Sequence, residues 1–362
     1  MFCQYYRTMI SRESHTIEWV TQVSKANRNA DKILVEKVIK ALALLEQLRL
    51  QELDFIFKGG TALMLLLPDA KRLSIDIDII LPEKPKNIEN IFKSITEEAV
   101  FTRFEENERV TRSKIDKAHY KFYYQPITST RVREEYILLD ILYESNPYGK
   151  QLSDTSINSS FLKISGKDTK VSIPTYEAIL GDKLTAFAPN TTGVPYGREK
   201  EIEVIKQLYD IGLLFNLVEN VSHIIQVFET IGKRELKYRE LELPLSDIVD
   251  DIYETSLCIC TRGMDGKGDF TELQTGIQNI VSYIFSESFF IDKAITAASK
   301  AAYLSVLLRN GTDTIMRYKD ITDIDGMLID QPFCTRLNKL KKSNPEAFYY
   351  WNQTVKLMEN NQ

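Results

Sequence analysis

The sequence contains few of the residues on which cysteine-based and histidine-based sites depend. Its 362 residues include four cysteines, which are too scattered for a disulfide framework. Cys258 and Cys260 are separated by one residue, whereas zinc pairs usually have two to four between them. We therefore expect these two to be buried free thiols on a helix. The histidines (His15, His119 and His223) form no triad-like or ligand-like pattern, so carboxylates and lysines are expected to carry any catalysis.

Long apolar runs and an excess of positive charge are also missing. No stretch approaches the roughly 20 uncharged apolar residues that a membrane-spanning helix requires, and the first residues lack the pattern of a signal peptide. The formal net charge is -5, whereas a non-specific DNA coat is strongly basic. We therefore expect a cytoplasmic protein with no membrane partner. RNA stays open as a substrate, because local charge matters more than the total.

Predicted strands fill the first half of the chain, and predicted helices fill the second. Helices are expected over 31–50, 61–67 and 86–99, and strands near 53–58, 73–81, 101–110, 118–125, 135–143, 161–164 and 170–173. After Pro174 the apolar spacing becomes helical and stays so. This order indicates an α+β fold in which a mixed α/β domain, residues 1–175, precedes a mainly helical domain, residues 176–362.

The strand predicted over 73–81 carries two aspartates on one face. Side chains of a strand alternate between its faces, so Ser74, Asp76 and Asp78 share one face while the intervening isoleucines face the core. Two carboxylates at this spacing can hold Mg²⁺, which would bind the triphosphate of a nucleotide and neutralise its developing charge. An Asp-x-Asp pair alone is more often the solvated face of an edge strand.

A glycine pair upstream strengthens the catalytic interpretation. The apolar strand before Lys58 leads into Gly59 and Gly60 and then a helix beginning at Thr61. Glycine allows the backbone to approach phosphate closely, and a helix N-terminus offers unpaired N–H groups to it. A glycine pair on its own often merely ends a strand. Followed by the Asp76–Asp78 strand, it indicates a nucleotide site.

Two further charged residues fit this site. Asp140 interrupts the otherwise apolar strand 135–143, and a buried carboxylate is costly unless it is paired or bound to metal. We expect it to be a third metal ligand or the base that activates an acceptor hydroxyl; the alternative is a residue that caps a neighbouring loop. Lys183 lies in an amphipathic helix and could reach phosphate as a point charge, although any surface helix carries lysines.

These segments resemble the AbiEii/AbiGii-type nucleotidyltransferase toxins, which include the MenT toxins and belong to the polymerase-beta-like superfamily. The resemblance rests on Lys58–Leu63, Arg72–Asp78 and Lys183–Ala186, followed by Arg198 and Lys206–Ile211. It covers about residues 55–215. The chain departs from the family pattern at Gly60-Thr61, where Gly-Ser is frequent, and at Gln207, where an acidic residue is frequent.

The resemblance implies a polymerase-beta-like nucleotidyltransferase core, a mixed sheet with flanking helices, followed by the helical domain. It assigns Mg²⁺ to Asp76 and Asp78, and NTP phosphates to the turn of Gly59, Gly60 and Thr61. Further implied site residues are Arg72 and Ser74 beside the triphosphate, Lys183 on the nucleotide, and Asp210, which completes the site. It also implies that the helical domain contributes Lys183, that the acceptor is RNA, with tRNA expected, and that an antitoxin is the partner in a toxin–antitoxin or phage-defence system.

Two segments interleave basic and aromatic residues as an RNA-binding surface would. They are Arg109–Tyr124 and Arg336–Tyr350. Equally simple interpretations are a solvated strand face and a surface helix with core aromatics.

Two other functions stay open at this point. The same site could modify an aminoglycoside-like small molecule or a protein hydroxyl, or the chain could be a non-catalytic nucleotide-binding partner.

Overall fold

The computed structural model describes residues 8–107, 116–129, 131–331 and 335–359, and it divides the chain into two compact units. The first unit contains residues 1–175 together with 282–288, and the second contains 176–281 and 289–362. The segment Ser282–Ser288, which sequence patterns place among the helices, thus belongs to the first unit. No helix in the described ranges is long and apolar enough to span a membrane.

The first unit is built on a seven-stranded mixed sheet in the order β3-β4-β5-β2-β1-β7-β6. Its strands are β1 (Ile56–Lys58), β2 (Ile77–Leu81), β3 (Arg103–Glu106), β4 (Lys117–Tyr124), β5 (Glu135–Tyr143), β6 (Leu152–Ser156) and β7 (Lys170–Pro174). The helices are α1 (Ile17–Ala26), α2 (Lys32–Leu50), α3 (Gly59–Leu66) and α4 (Ile88–Glu97). The α+β class is confirmed.

One face of the sheet is closed by apolar packing. In β4 the side chains of Tyr120, Phe122 and Tyr124 are buried, and they alternate with half-exposed neighbours. Phe122 packs against Phe92 of α4 with ring centroids 5.2 Å apart. The alternation of β4 and β5 therefore separates a sealed face from an open face that polar side chains can occupy.

Several predicted boundaries change in the structure. The strand expected over 73–81 begins only at Ile77, because Leu73 N–H donates to Tyr283 O (2.8 Å) and Arg72 bridges to Ile284. The strand expected at 161–164 is wrong; only an isolated bridge joins Ile164 to Ile10. Strand β6 was not predicted. The part of 101–110 from residue 108 onwards lies outside the described residues.

The second unit is helical. Its helices are α5 (Tyr176–Ala186), α6 (Glu201–Phe215), α7 (Val221–Tyr238), α8 (Leu245–Cys260), α9 (Phe270–Asn279), α10 (Ile291–Asn310), α11 (Leu340–Ser343) and α12 (Pro345–Glu359). Helix α10 packs against α6, α8 and α12, and its small side chains allow close approach, as where Ala297 meets Gly212. Cys258 and Cys260 are buried free thiols on α8, as predicted.

Candidate active site

Four charged or titratable residues form a row across neighbouring strands of the first unit. The register pairs Lys58 of β1 with Asp78 of β2, Asp78 with Asp140 of β5, and Asp140 with His119 of β4. Residues directly paired in a sheet project from the same face, and adjacent strands lie about 4.8 Å apart. The row Lys58–Asp78–Asp140–His119, which we call the carboxylate row, therefore lies on one face of the sheet.

The row is open to solvent along part of its length. Asp78 is half-buried, and Asp76, immediately before β2, is exposed. The Asp140 side chain is 27% exposed, so it is neither sealed in the core nor fully hydrated. Carboxylates in such a position can exchange water for a ligand without paying the full cost of burying a charge.

Residues in and just before β2 pack closely against the backbone of Gly59 and Gly60. Gly59 has φ +83°, and a Cβ atom there would lie 2.3 Å from Asp78 Oδ2. A Cβ on Gly60 would lie 2.6 Å from Arg72 Nη2 and 2.8 Å from Ser74 Oγ. A side chain at either glycine would therefore displace one of the predicted site residues. The same turn begins α3, whose N-cap residue, Lys58, makes no side-chain capping bond.

Thr61 and Arg72, which the resemblance places at the nucleotide, are both buried. Thr61 is fully buried, and its hydroxyl donates to the carbonyl of Asp76 (2.7 Å). Arg72 is 5% exposed, and its Nη1 donates to Leu73 O (3.2 Å). The hydrogen bond from Thr61 fixes the backbone at Asp76, which holds the segment that enters β2.

His119 is the residue of this site that the sequence patterns did not single out. Its Nδ1 lies 2.7 Å from Asp140 Oδ1, and its side chain is 12% exposed. Because a carboxylate only accepts hydrogen bonds, Nδ1 carries the proton when Asp140 is ionised. In β4, His119 projects from the face opposite to that of the buried Ala118 and Tyr120. Its contact with Asp140 depends on the register of two strands, which no local pattern shows.

Lys183, Asp210 and Gln207 meet in the second unit. Lys183 Nζ is 3.0 Å from Asp210 Oδ2 and donates to Gln207 Oε1 (2.8 Å). Lys183 is 8% exposed and Asp210 is fully buried. Gln207 offers a neutral amide oxygen as the acceptor at this position. The predicted Lys183 and Asp210 are thus joined in a buried ion pair.

The carboxylates suit a hard divalent cation in their chemistry. Across the described ranges, no three or more His, Cys, Asp or Glu side chains are grouped so as to hold a metal ion by themselves. Mg²⁺ is commonly held by one or two carboxylates together with substrate phosphates, so a complete protein cage is not required. Asp76 and Asp78, beside the glycine turn, fit that partial ligand set.

The two basic-aromatic segments offer few exposed aromatic rings for stacking on RNA bases. Residues Arg109, Arg112 and Lys114 lie outside the described residues. In the described part, Tyr120 and Tyr124 are buried. In the second segment, Phe348, Tyr349 and Tyr350 are buried in α12, whereas Arg336, Lys339 and Lys342 are exposed. The aromatic residues described are therefore core except Tyr123, which is half-exposed and carries the Arg103 guanidinium over its ring, and the basic residues named here are surface.

The family model described as "Nucleotidyl transferase AbiEii toxin, Type IV TA system" matches residues 43–269, which is more than half of the chain. The chain belongs to the AbiEii family. AbiEii proteins are nucleotidyltransferase toxins of type IV toxin–antitoxin systems, so this chain is a transferase with a nucleotide substrate and a cognate antitoxin. The resemblance stated from the motifs is confirmed.

Solved structures similar to this AbiEii chain share little sequence with it. A Helicobacter pylori protein assigned as a nucleotidyltransferase is 16% identical, with a TM-score of 0.44 over 78% of this chain and 96% of its own. MenT4, a nucleotidyltransferase toxin from Mycobacterium tuberculosis, is 13% identical, with a TM-score of 0.41 over 65% of this chain and 76% of its own. A comparison with curated proteins found no match.

Proposed function

We propose that the chain transfers a nucleotidyl group from an NTP to a hydroxyl of an RNA acceptor, with tRNA as the expected acceptor. The observation that supports this most is the carboxylate row beside the Gly59–Gly60 turn. A phosphate-binding turn and ionised carboxylates on adjacent strands are the parts that phosphoryl transfer needs, since its catalysis is mainly positioning and charge neutralisation.

The proposed reaction has one bond-forming and one bond-breaking event. The oxygen of the acceptor hydroxyl attacks the α-phosphorus of the NTP, the bond from that phosphorus to the β-phosphate oxygen breaks, and pyrophosphate leaves. We assign the hydroxyl proton to Asp140 as general base. This assignment is favoured over a role as third metal ligand because Asp140 Oδ1 is engaged by His119 and Mg²⁺ needs only one or two carboxylates.

We assign Mg²⁺ to Asp76 and Asp78. When bound there, the ion would neutralise charge that builds up on the phosphates. The turn at Gly59 and Gly60, with the uncapped start of α3, would receive phosphate oxygens, and Ser74 would donate to one of them. Arg72 and Thr61 hold this segment in place from its buried side.

We assign Lys183 to the phosphates of the nucleotide and Asp210 to holding Lys183. An ammonium group has three N–H donors, and the contacts with Asp210 and Gln207 use two of them. Either the third N–H or the N–H that donates to the neutral Gln207 would donate to a phosphate oxygen. Asp210, fully buried, would keep the charge and direction of the amine.

The biological setting proposed is that of the family: a toxin that blocks translation by modifying tRNA in the cytoplasm, restrained by its antitoxin, in a phage-defence context. The acceptor is tested by incubating the pure protein with each α-labelled NTP, Mg²⁺ and, in parallel, total tRNA, an aminoglycoside or cell protein. Label is expected in the RNA fraction and only with Mg²⁺. Label in the drug or protein fraction instead would reject RNA as the acceptor.

A further inference from the structure

A cavity of about 440 Å³ in the second unit is lined by basic side chains from two segments and by Asp292 and Ile295 of α10. Arg262 follows the end of α8, while Arg336 and Lys339 belong to the 3-10 helix Thr335–Lys339. We call the surface formed by Arg262, Arg336 and Lys339 the basic groove. All three side chains are exposed.

The charge of this groove contrasts with that of the whole chain. Residues 335–343 contain four basic residues and no acidic one, in a chain of net charge -5. Two carboxylates lie nearby: Asp292 is 3.8 Å from Arg262, and Asp265 is 3.5 Å from Arg336. Ion pairs this long contribute little when the basic side chain is exposed, as both arginines are, so a phosphate can replace the carboxylate at small cost.

The lining of the groove indicates that it recognises charge and not bases. Apart from Met264, the apolar residues that line it (Cys260, Ile295 and Leu340) are buried in its floor. The aromatic side chains that follow in α12 are in the core, so they offer no stacking surface. A protein partner usually needs exposed aromatic or large apolar anchors, whereas a nucleic-acid backbone needs only a positive groove.

We propose that the basic groove binds the phosphate backbone of the RNA acceptor. This inference rests on the proposed function, because it takes RNA as the acceptor. The groove would hold RNA through its phosphates, independently of base sequence. It therefore contributes to affinity for the acceptor and leaves the binding of NTP unchanged.

The test measures binding of fluorescently labelled tRNA to the full chain by anisotropy, without NTP, over a range of salt concentrations. The variant is Arg336→Gln/Lys339→Gln. The matched control is Lys233→Gln/Lys237→Gln, which removes two exposed charges from α7 in the same unit. The groove variant should bind on the order of tenfold more weakly near 0.15 M salt, and its log–log salt slope should fall by about 2. The control should stay within about twofold of wild type.

Thermal melting of both variants checks that they fold, and Arg262→Gln provides a second, independent neutralisation. Equal tRNA affinity in the groove variants and the control would overturn the inference. If wild type transfers label to tRNA but the groove variants bind tRNA as tightly as the control does, the proposed function stands and only the groove inference fails. If wild type transfers no label to RNA, the proposed function itself fails. Loss of antitoxin binding with unchanged tRNA affinity would assign the groove to an acidic protein surface and also overturn the inference.

Discussion

Two charged clusters of this molecule are built in opposite ways. In the first unit, the carboxylate row lies on an open sheet face, with the Asp140 side chain 27% exposed and Asp76 exposed. In the second unit, Lys183 and Asp210 form an ion pair that is almost fully buried. Exposed carboxylates can exchange ligands at little cost, whereas separating a buried pair leaves an uncompensated charge. The row is therefore suited to chemistry, and the pair to holding one charge in place.

The largest expected effect lies at Asp76, the exposed aspartate immediately before β2. Asp76→Ala should reduce nucleotidyl transfer by about 1,000-fold or more, on the scale of losing a major electrostatic contact in a transition state. Because Asp76 is exposed, the free energy of unfolding should stay within about 0.5 kcal/mol of wild type. Initial rates of label transfer and urea unfolding measure the two quantities. A stability loss as large as that of a buried-pair variant would contradict the comparison.

Substitution of the buried pair, Lys183 and Asp210, is expected to lower the free energy of unfolding, whereas Asp76→Ala is expected to lower the transfer rate. Asp210→Ala leaves the Lys183 amine buried without its carboxylate, so the free energy of unfolding should fall by about 3–5 kcal/mol. Replacing both residues, Lys183→Met with Asp210→Leu, should recover much of that stability because an apolar pair carries no buried charge. Transfer activity should stay lost in the double variant. Recovered activity would show that Lys183 has no part in nucleotide binding.

Substitution of His119 tests whether this histidine orients Asp140 in the carboxylate row. His119→Asn removes the imidazole that contacts Asp140 Oδ1 and should lower kcat by about 10–100-fold, the usual effect of losing a residue that orients a functional carboxylate, with KM for NTP little changed. His119→Gln, which can still place an amide N–H near Asp140, should restore part of the loss. An equal fall in the control His223→Asn, on α7, would show a general effect on folding.

The smallest effect expected is a shift in melting temperature on nucleotide binding. With Mg²⁺ and a non-hydrolysable NTP at about 100 times Kd, stability should rise by about 2.7 kcal/mol, which corresponds to a few degrees in a protein of this size. Asp78→Ala should lose most of this shift. An equal shift in the variant, or an equal shift for wild type in EDTA, would place the nucleotide away from Asp78.

Local pattern was sufficient for the elements that form the site. The apolar run 135–143 predicted β5 with the observed bounds, and the glycine pair was correctly predicted to stand where a strand meets a helix, although α3 begins at Gly59 and not at Thr61. The predicted start of β2 was four residues early, because residues 73–76 continue the alternation of a strand, whereas Lys71–Leu73 just before them pair with Ser282–Ser288. That partner is about 200 residues away in sequence, and no local signal identifies it.

The composition of the site was harder to predict than its elements. His119 was set aside because the three histidines form no triad-like or ligand-like pattern in sequence, yet the pairing of β4 with β5 places His119 opposite Asp140. The contact between Lys183 and Asp210 joins two helices; the family resemblance placed both residues at the site but did not pair them. Contacts that depend on strand register or helix packing form only in the folded chain, so residue spacing alone does not predict them.

The most direct test of the central claim compares two aspartates of the same sheet. Single-turnover transfer of label from an α-labelled NTP to tRNA is measured for wild type, Asp78→Asn in the carboxylate row, and Asp154→Asn, an exposed position on β6. The account predicts a fall of about 1,000-fold or more for Asp78→Asn and a rate within twofold of wild type for Asp154→Asn. Equal rates for the two variants, or no transfer to tRNA by wild type, would contradict it.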